Sequence, residues 1–320
     1  MYRRWGLTIP LTGVPLPDHA DVLRQLPDWG FTDVWSAEVS GADAFTPLAL
    51  ASVWEPRLRL GTAIAPVFTR GPALLAMTAA ALAEAAPDRF VLGIGASSPA
   101  IVGDWNGMDF DKPYGRTRDV LRFLRRALAG EMVDEAFPSF TIRRFRLERP
   151  PAQPPAVVLA ALRPGMLRLA AAEADGVILN WLAAGDVATA LAETAGAKDG
   201  FEVVARIFVC PTEDAGYART LGRRLIASYL TVPAYAEFHR WLGREGSLGE
   251  MWQRWAAGDR KGAAASIPDD VIDSLLVHGS PEECRDHVAR YADAGVQTPV
   301  IALMPTENQS PDTLRRLGWS

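Results

Sequence analysis

Short apolar runs alternate with longer segments of helical periodicity eight times along the chain. The runs fall at 5–11 (WGLTIPL), 32–37 (TDVWSA), 58–65 (LRLGTAIA), 89–95 (RFVLGIG), 156–161 (AVVLAA), 175–181 (DGVILNW), 204–210 (VARIFVC) and 298–303 (TPVIAL). Near-continuous apolar strands are what a parallel sheet covered on both faces requires, because neither face meets water. Between them the spacing predicts helices near 18–29, 44–54, 72–86, 113–128, 164–174, 184–195 and 214–230. Ser280 and Glu283 in SPEE make a capping box for one more helix ahead of the eighth run. Eight strand–helix units predict an α/β fold, a TIM (β/α)8 barrel forming a single domain over residues 1–320. An open doubly wound sheet is the architectural alternative.

Two stretches exceed what a barrel needs. Residues 131–155 join the alternating SFTIRRFRL to a stiff RPPAQPP return and read as a hairpin. Residues 231–276 are helical and Trp-rich, with Trp241, Trp252 and Trp255 spaced to share an apolar face. That face is expected to pack on the barrel or on a second subunit. Long insertions into barrel loops often roof an active site.

Composition narrows the class. Of 320 residues, 49% are hydrophobic and 22% charged, which is the soluble globular range. A formal net charge of −5 disfavours a nucleic-acid surface, and the densest basic run, RRFRLER (143–149), reads as a solvated hairpin face. Cys210 and Cys284 have neither metal nor redox spacing, so a reducing cytoplasm is the expected compartment. The histidines (His19, His239, His278, His287) form no ligand pattern, and no metal is expected. The N-terminus lacks the apolar core of a secretory signal, and the longest apolar stretch, 73–86, is too short to span a bilayer. No membrane partner is expected.

In a barrel the chemistry sits at the C-terminal ends of the strands. That rule selects Glu38, the stretch Thr62-Ala63-Ile64-Ala65-Pro66, the turn Ala96-Ser97-Ser98, the loop AALRPGM, and Asn180 with Trp181. No histidine lies at these ends, so a hydrolytic triad has little support. Small residues, hydroxyls and aromatics suit a flat ligand with a phosphate tail, where a cofactor does the chemistry. Pro164 fits the first position of a helix whose N-terminus attracts an anion, or of an ordinary helix start. RFVLGIGASSP (89–99) nearly matches a dinucleotide fingerprint, but Ser98 fails the third glycine and Pro99 opens no clean helix.

Four segments in order resemble the bacterial luciferase-like superfamily, and within it the branch that uses the deazaflavin coenzyme F-420. They are LRLGTAIAPVFTRGPALLA (58–76), DRFVLGIGASSPAIVGDWNGMDFDKPYGRTRD (88–119), LAALRPGMLRLAAAEADGVILNW (159–181) and GSPEECRDHVARYADAGVQTPVI (279–301). The resemblance implies a TIM barrel with insertions. It also implies a bulge with a non-prolyl cis peptide at Ala63–Ile64, next to Pro66, that backs the coenzyme ring. Gly95, Ala96, Ser97 and Ser98 match the cofactor-lining turn. Ala160, Ala161, Leu162 and Arg163 match the loop on the phosphate side, and Asn180 a residue nearby. Trp181 is expected to stack near the ring.

The departures are specific. Glu38-Val39 stands where some members carry an acid and a histidine, and Ser98 where some sugar-phosphate dehydrogenases place a glutamate. A sugar-phosphate substrate is therefore disfavoured, and Glu38 is the surviving candidate for proton transfer. The expectation is an F-420-dependent oxidoreductase moving a hydride between the deazaflavin and a small organic substrate, as a homodimer. The alternatives are an FMN-dependent monooxygenase of the same fold and a non-catalytic flavin-binding or structural paralogue.

Overall fold

The computed structural model describes residues 3–306 and 310–319. Its strands are β1 (Gly6–Ile9), β2 (Asp33–Ser36), β3 (Arg59–Thr62), β4 (Ala65–Pro66), β5 (Phe90–Gly95), β6 (Val133–Phe137), β7 (Phe140–Phe145), β8 (Ala156–Ala160), β9 (Gly176–Asn180), β10 (Glu202–Cys210), β11 (Leu276–His278) and β12 (Thr298–Leu303). Eight of them close into one parallel ring, β1–β2–β3–β5–β8–β9–β10–β12 and back to β1. All eight apolar runs supply these strands, and the fold is a TIM barrel.

Side chains alternate across each strand, and both sets are buried. The outward set, such as Leu7, Val34, Leu60, Leu92 and Val177, joins the helices in the main core. The inward set fills the barrel centre with Trp35, Val91, Val158, Ile178, Val204 and Val300. Trp35 is fully buried, and two glycines make its room. A Cβ on Gly61 would lie 2.3 Å from the indole, and one on Gly6 would lie 3.0 Å from it. Below this layer, Arg59 bridges Asp33 and Glu202 (Nη1–Oε2 2.9 Å), with Thr298 alongside. The N-terminal end is thus plugged by a buried ion-pair cluster.

The helices form where the apolar periodicity places them, including Pro72–Ala85, Pro113–Leu128, Pro164–Glu173 and Ala215–Tyr229. The capping box is present, with Ser280 N donating to Glu283 Oε2 (2.8 Å) and Glu283 N to Ser280 Oγ (3.3 Å). β6 and β7 make the expected hairpin, and Arg143, Arg144 and Arg146 are exposed on it. The second insertion holds four helices, Pro233–Trp241, Glu245–Ala256, Arg260–Ala265 and Asp269–Leu275. Its tryptophans pack inside this chain, and the Trp252 indole donates to the Leu230 carbonyl (2.9 Å). No helix among the described residues is long and apolar enough to cross a membrane.

The insertion ends in β11, a further parallel strand outside the ring that the sequence reading lacks. β10 therefore changes partner along its length. Glu202–Arg206 pairs with β9, whereas Phe208–Cys210 pairs with β11.

Candidate active site

The bulge is the first feature at the open end. β3 stops at Thr62, and β4 resumes against β5 with the register reduced by one, from Leu60↔Phe90 to Ala65↔Ile94. One extra residue is accommodated between them, as a β-bulge requires. The Ala63–Ile64 peptide is cis, as the resemblance implies. β2 and its continuation hold the bulge from one side, with Ala63 N donating to Ser36 O (2.7 Å) and Glu38 N to Ile64 O (3.2 Å). Ala63 and Ile64 are half-buried against the barrel interior, and Pro66 is buried.

The glycines of β5 answer to this bulge. A Cβ on Gly93 would sit 1.9 Å from the Thr62 carbonyl oxygen. Thr62 Oγ1 also accepts from Gly93 N (2.8 Å) and donates to Gly93 O (2.7 Å). A Cβ on Gly95 would lie 3.0 Å from the Ala160 Cβ and 3.3 Å from Ile64. The Gly-x-Gly pattern thus records close packing inside the barrel. Beyond it, Ala96, Ser97 and Ser98 are half-buried, and Ser97 has φ 67°, a left-handed conformation uncommon for a residue with a side chain. Ser98 Oγ caps the following turn by accepting from Ile101 N (3.3 Å).

Glu38 is not a free carboxyl. Its Oε2 accepts from Arg70 Nη2 (2.8 Å), Arg70 Nε (3.0 Å) and Ala44 N (3.2 Å). Oε1 receives only longer contacts, from Arg70 Nε (3.3 Å) and Thr69 Oγ1 (3.5 Å). This pair, which no sequence motif announces, fixes the orientation of the side chain through charge-assisted hydrogen bonds.

On the opposite wall, Ala160 is half-buried, Ala161 buried and Leu162 half-buried, while Arg163 is exposed at the start of Pro164–Glu173. No carboxylate among the described residues pairs with Arg163. A free guanidinium beside a helix N-terminus suits an anion.

At the end of β9, Asn180 Nδ2 donates to the Tyr235 hydroxyl (2.8 Å), and its Oδ1 is buried without a partner. Trp181 departs from expectation. It is buried, and its indole is stacked on Phe208 with centroids 4.0 Å apart, so that face has no room for a coenzyme ring. Sequence reasoning also passed over Arg206, which pairs in register with Asn180. Its Nε is buried and unpartnered, its guanidinium carbon lies 4.8 Å from the Phe208 ring centre, and Tyr229 and Tyr235 are its polar neighbours. Burial pushes Arg206 below the usual guanidinium range and Tyr235 up to about 12. The one signal in the sequence was a lone cation inside VARIFVC.

The site has small side chains at the strand ends, a bulged wall, and at a helix start a cation that no carboxylate among the described residues pairs with. The half-buried Ala63, Ala96, Ser97, Ser98 and Ala160 present little side-chain bulk, and with Arg163 they fit a flat ring with an anionic tail. Residues 6–298 match the model of the luciferase-like monooxygenase family, and the chain belongs to that family.

A Mycobacterium tuberculosis protein named as a coenzyme F-420-dependent oxidoreductase is 28% identical over 92% of this chain and 94% of its own length. The 5,10-methylenetetrahydromethanopterin reductase of Archaeoglobus fulgidus is 24% identical over 91% of this chain and 90% of its own. Among solved structures, the coenzyme F-420-dependent tetrahydromethanopterin reductase of Methanopyrus kandleri superposes with a TM-score of 0.80 at 19% identity, over 99% of this chain and 98% of that one.

Proposed function

We propose that this protein is an F-420-dependent oxidoreductase that moves a hydride between the coenzyme and a small organic substrate. The observation that carries this reading is the make-up of the barrel mouth. Small residues surround it, Arg163 stands at a helix start, and among the described residues no carboxylate pairs with Arg163 and no nucleophile–base pair is in place to act without a cofactor. The mycobacterial relative favours F-420 as that cofactor.

When bound, the deazaflavin supplies the carbon that gives or takes the hydride. Ala63 and Ile64 would back one face of the ring, and Gly95, Ala96, Ser97 and Ser98 would line its edge. Ala160, Ala161, Leu162 and Arg163, with the first turn of Pro164–Glu173, would hold the phosphate side. Asn180 stands at the rim. Glu38, oriented by Arg70, would exchange a proton at Oε1, the less engaged oxygen.

An FMN-dependent monooxygenase is the second reading, favoured by the family's description. Fluorescence titration with each cofactor separates the two. Tighter F-420 binding is expected, and tighter FMN binding would move the protein to the monooxygenase branch. The proposal extends to a cytoplasmic location and a homodimeric assembly. Two buried free cysteines, Cys210 and Cys284, suit a reducing compartment, and sedimentation velocity tests the assembly.

A further inference from the structure

We propose that Arg206 is the anion receptor of the active site, and that the substrate is a small organic acid whose carboxylate is joined to an apolar or aromatic body. The proposal rests on reading the barrel mouth as the active site.

Arg206 faces inward. Val204, two residues earlier on β10, belongs to the barrel-interior cluster, and strand side chains alternate with period two. Its backbone partner Asn180 reaches Tyr235 from the same rim. The chain satisfies its other half-buried guanidinium groups with acids or with backbone carbonyls, the latter at Arg89 (Leu58 O, 2.7 Å) and Arg116 (Ser139 O, 3.2 Å). Arg59 meets Asp33 and Glu202, Arg70 meets Glu38 and Asp43, and Arg244 meets Asp186. No carboxylate among the described residues pairs with Arg206; its Nε finds no acceptor, and the guanidinium's side-chain hydrogen bond is to Tyr229, a neutral hydroxyl that does not balance its charge. A buried cation without a counter-ion is costly, so its retention in a ligand-accepting mouth points to an anion brought by the ligand.

The surroundings define the rest of that ligand. Phe208 lies under the guanidinium at 4.8 Å, and Tyr229 stands 5.1 Å from the Trp181 ring centre and 6.1 Å from that of Tyr235. This aromatic wall suits an apolar body attached to the anion. The adjacent Asn180 Oδ1, buried and unpartnered, is an acceptor for a hydroxyl on the same molecule. Planar carboxylates match the guanidinium fork, which an ammonium cannot reproduce.

The test titrates benzoate and its neutral isostere benzamide calorimetrically into wild type, Arg206→Met and Arg206→Lys, alongside F-420. Wild type is expected to prefer benzoate by at least about tenfold, the scale of a charge-assisted hydrogen bond. Arg206→Met should erase that preference, and Arg206→Lys should keep part of it. F-420 affinity in Arg206→Met should stay within about threefold of wild type. Without coenzyme, Arg206→Met should melt no lower than wild type, because it loses an unpaired charge rather than a partnered one.

Three results would overturn the proposal. One is benzoate binding that is unchanged in Arg206→Met, or equal to benzamide in wild type. Another is a tenfold loss of F-420 affinity with benzoate unaffected, which would assign the guanidinium to the coenzyme. The third is an Arg206→Met variant that melts well below wild type, which would make Arg206 structural. Wild type that binds no F-420 but still prefers benzoate would overturn the proposed cofactor and leave the anion site standing.

Discussion

Gly93→Ala isolates the question of what the glycines of β5 are for. The added Cβ would stand 1.9 Å from the Thr62 carbonyl oxygen and 2.6 Å from Ile178 Cδ1, inside the 3.0 Å that real Cβ contacts respect. Ile178 can turn away, but the Thr62 oxygen is backbone fixed at the mouth of the bulge. To clear it, β3 and β5 must part by about 1.1 Å, the difference between 3.0 and 1.9. That movement also stretches the two hydrogen bonds between Thr62 Oγ1 and Gly93, at 2.8 and 2.7 Å. Overpacking costs roughly 1–3 kcal/mol and each weakened hydrogen bond about 1 kcal/mol, so the loss should reach about 3–5 kcal/mol. At roughly 2–4 °C per kcal/mol, Tm should fall by about 10 °C.

Gly249→Ala, in the helix Glu245–Ala256 with nothing within 4 Å of its Cβ position, is the control. It should gain about 0.5–1 kcal/mol from helix propensity. Urea and thermal unfolding of both variants measure the difference. A Gly93→Ala protein within about 1 kcal/mol of wild type would refute the packing account and return the glycines to a ligand-cradling role.

Three further outcomes are expected. Glu38→Gln should lower turnover about a hundredfold, the usual weight of acid–base assistance, with F-420 affinity within about twofold; a normal kcat would leave Glu38 as an anchor for Arg70. Arg163→Gln should weaken F-420 binding by about tenfold or more at low salt, with the deficit shrinking as salt is added, as titrations in a salt series would show. His239 is buried, and burial, with Arg244 nearby, outweighs its contact with the Trp181 backbone and pushes it down to about 3. Between about 6.5 and 3 the unfolded chain binds a proton that the folded chain refuses, so stability falls with falling pH by up to about 1.4 kcal/mol per unit. His239→Leu should remove that one-proton slope in urea titrations at pH 7 and 4.5.

The barrel was legible because each strand buries both faces, which leaves an unbroken apolar run for composition to reveal. Strands of two and three residues, β4 and β11, leave no such trace; their pairing comes from the bulge and from the end of the insertion. The Ala63–Ile64 bulge was readable only through resemblance, since alanine and isoleucine are ordinary strand residues. The glycines near it carry a second constraint that the sequence did not show: the distances from Gly93 and Gly95 tie them to Thr62, Ile64 and Ala160. Glu38 was found, but Arg70, thirty-two residues on, was not, because no periodicity links a loop carboxylate to a loop arginine. Trp181 was placed at the right strand end, yet its ring direction follows from a left-handed backbone at φ 53° and from Phe208 on the next strand.

The change of partner along β10 has a consequence for how this enzyme can be altered. Loops on such barrels are commonly treated as exchangeable modules, swapped to change specificity while the scaffold stays intact. Here the segment 231–276 is not separable in that sense. Its last residues run into β11, which occupies the edge that Phe208–Cys210 would otherwise present unpaired. An excision ending at Leu275 keeps that edge covered only if Leu276–His278 stays in register; one that removes those residues leaves a bare strand edge that invites intermolecular pairing. Any graft into this position has to preserve that three-residue seam, so new specificity here evolves by substitution within the insertion more readily than by its replacement.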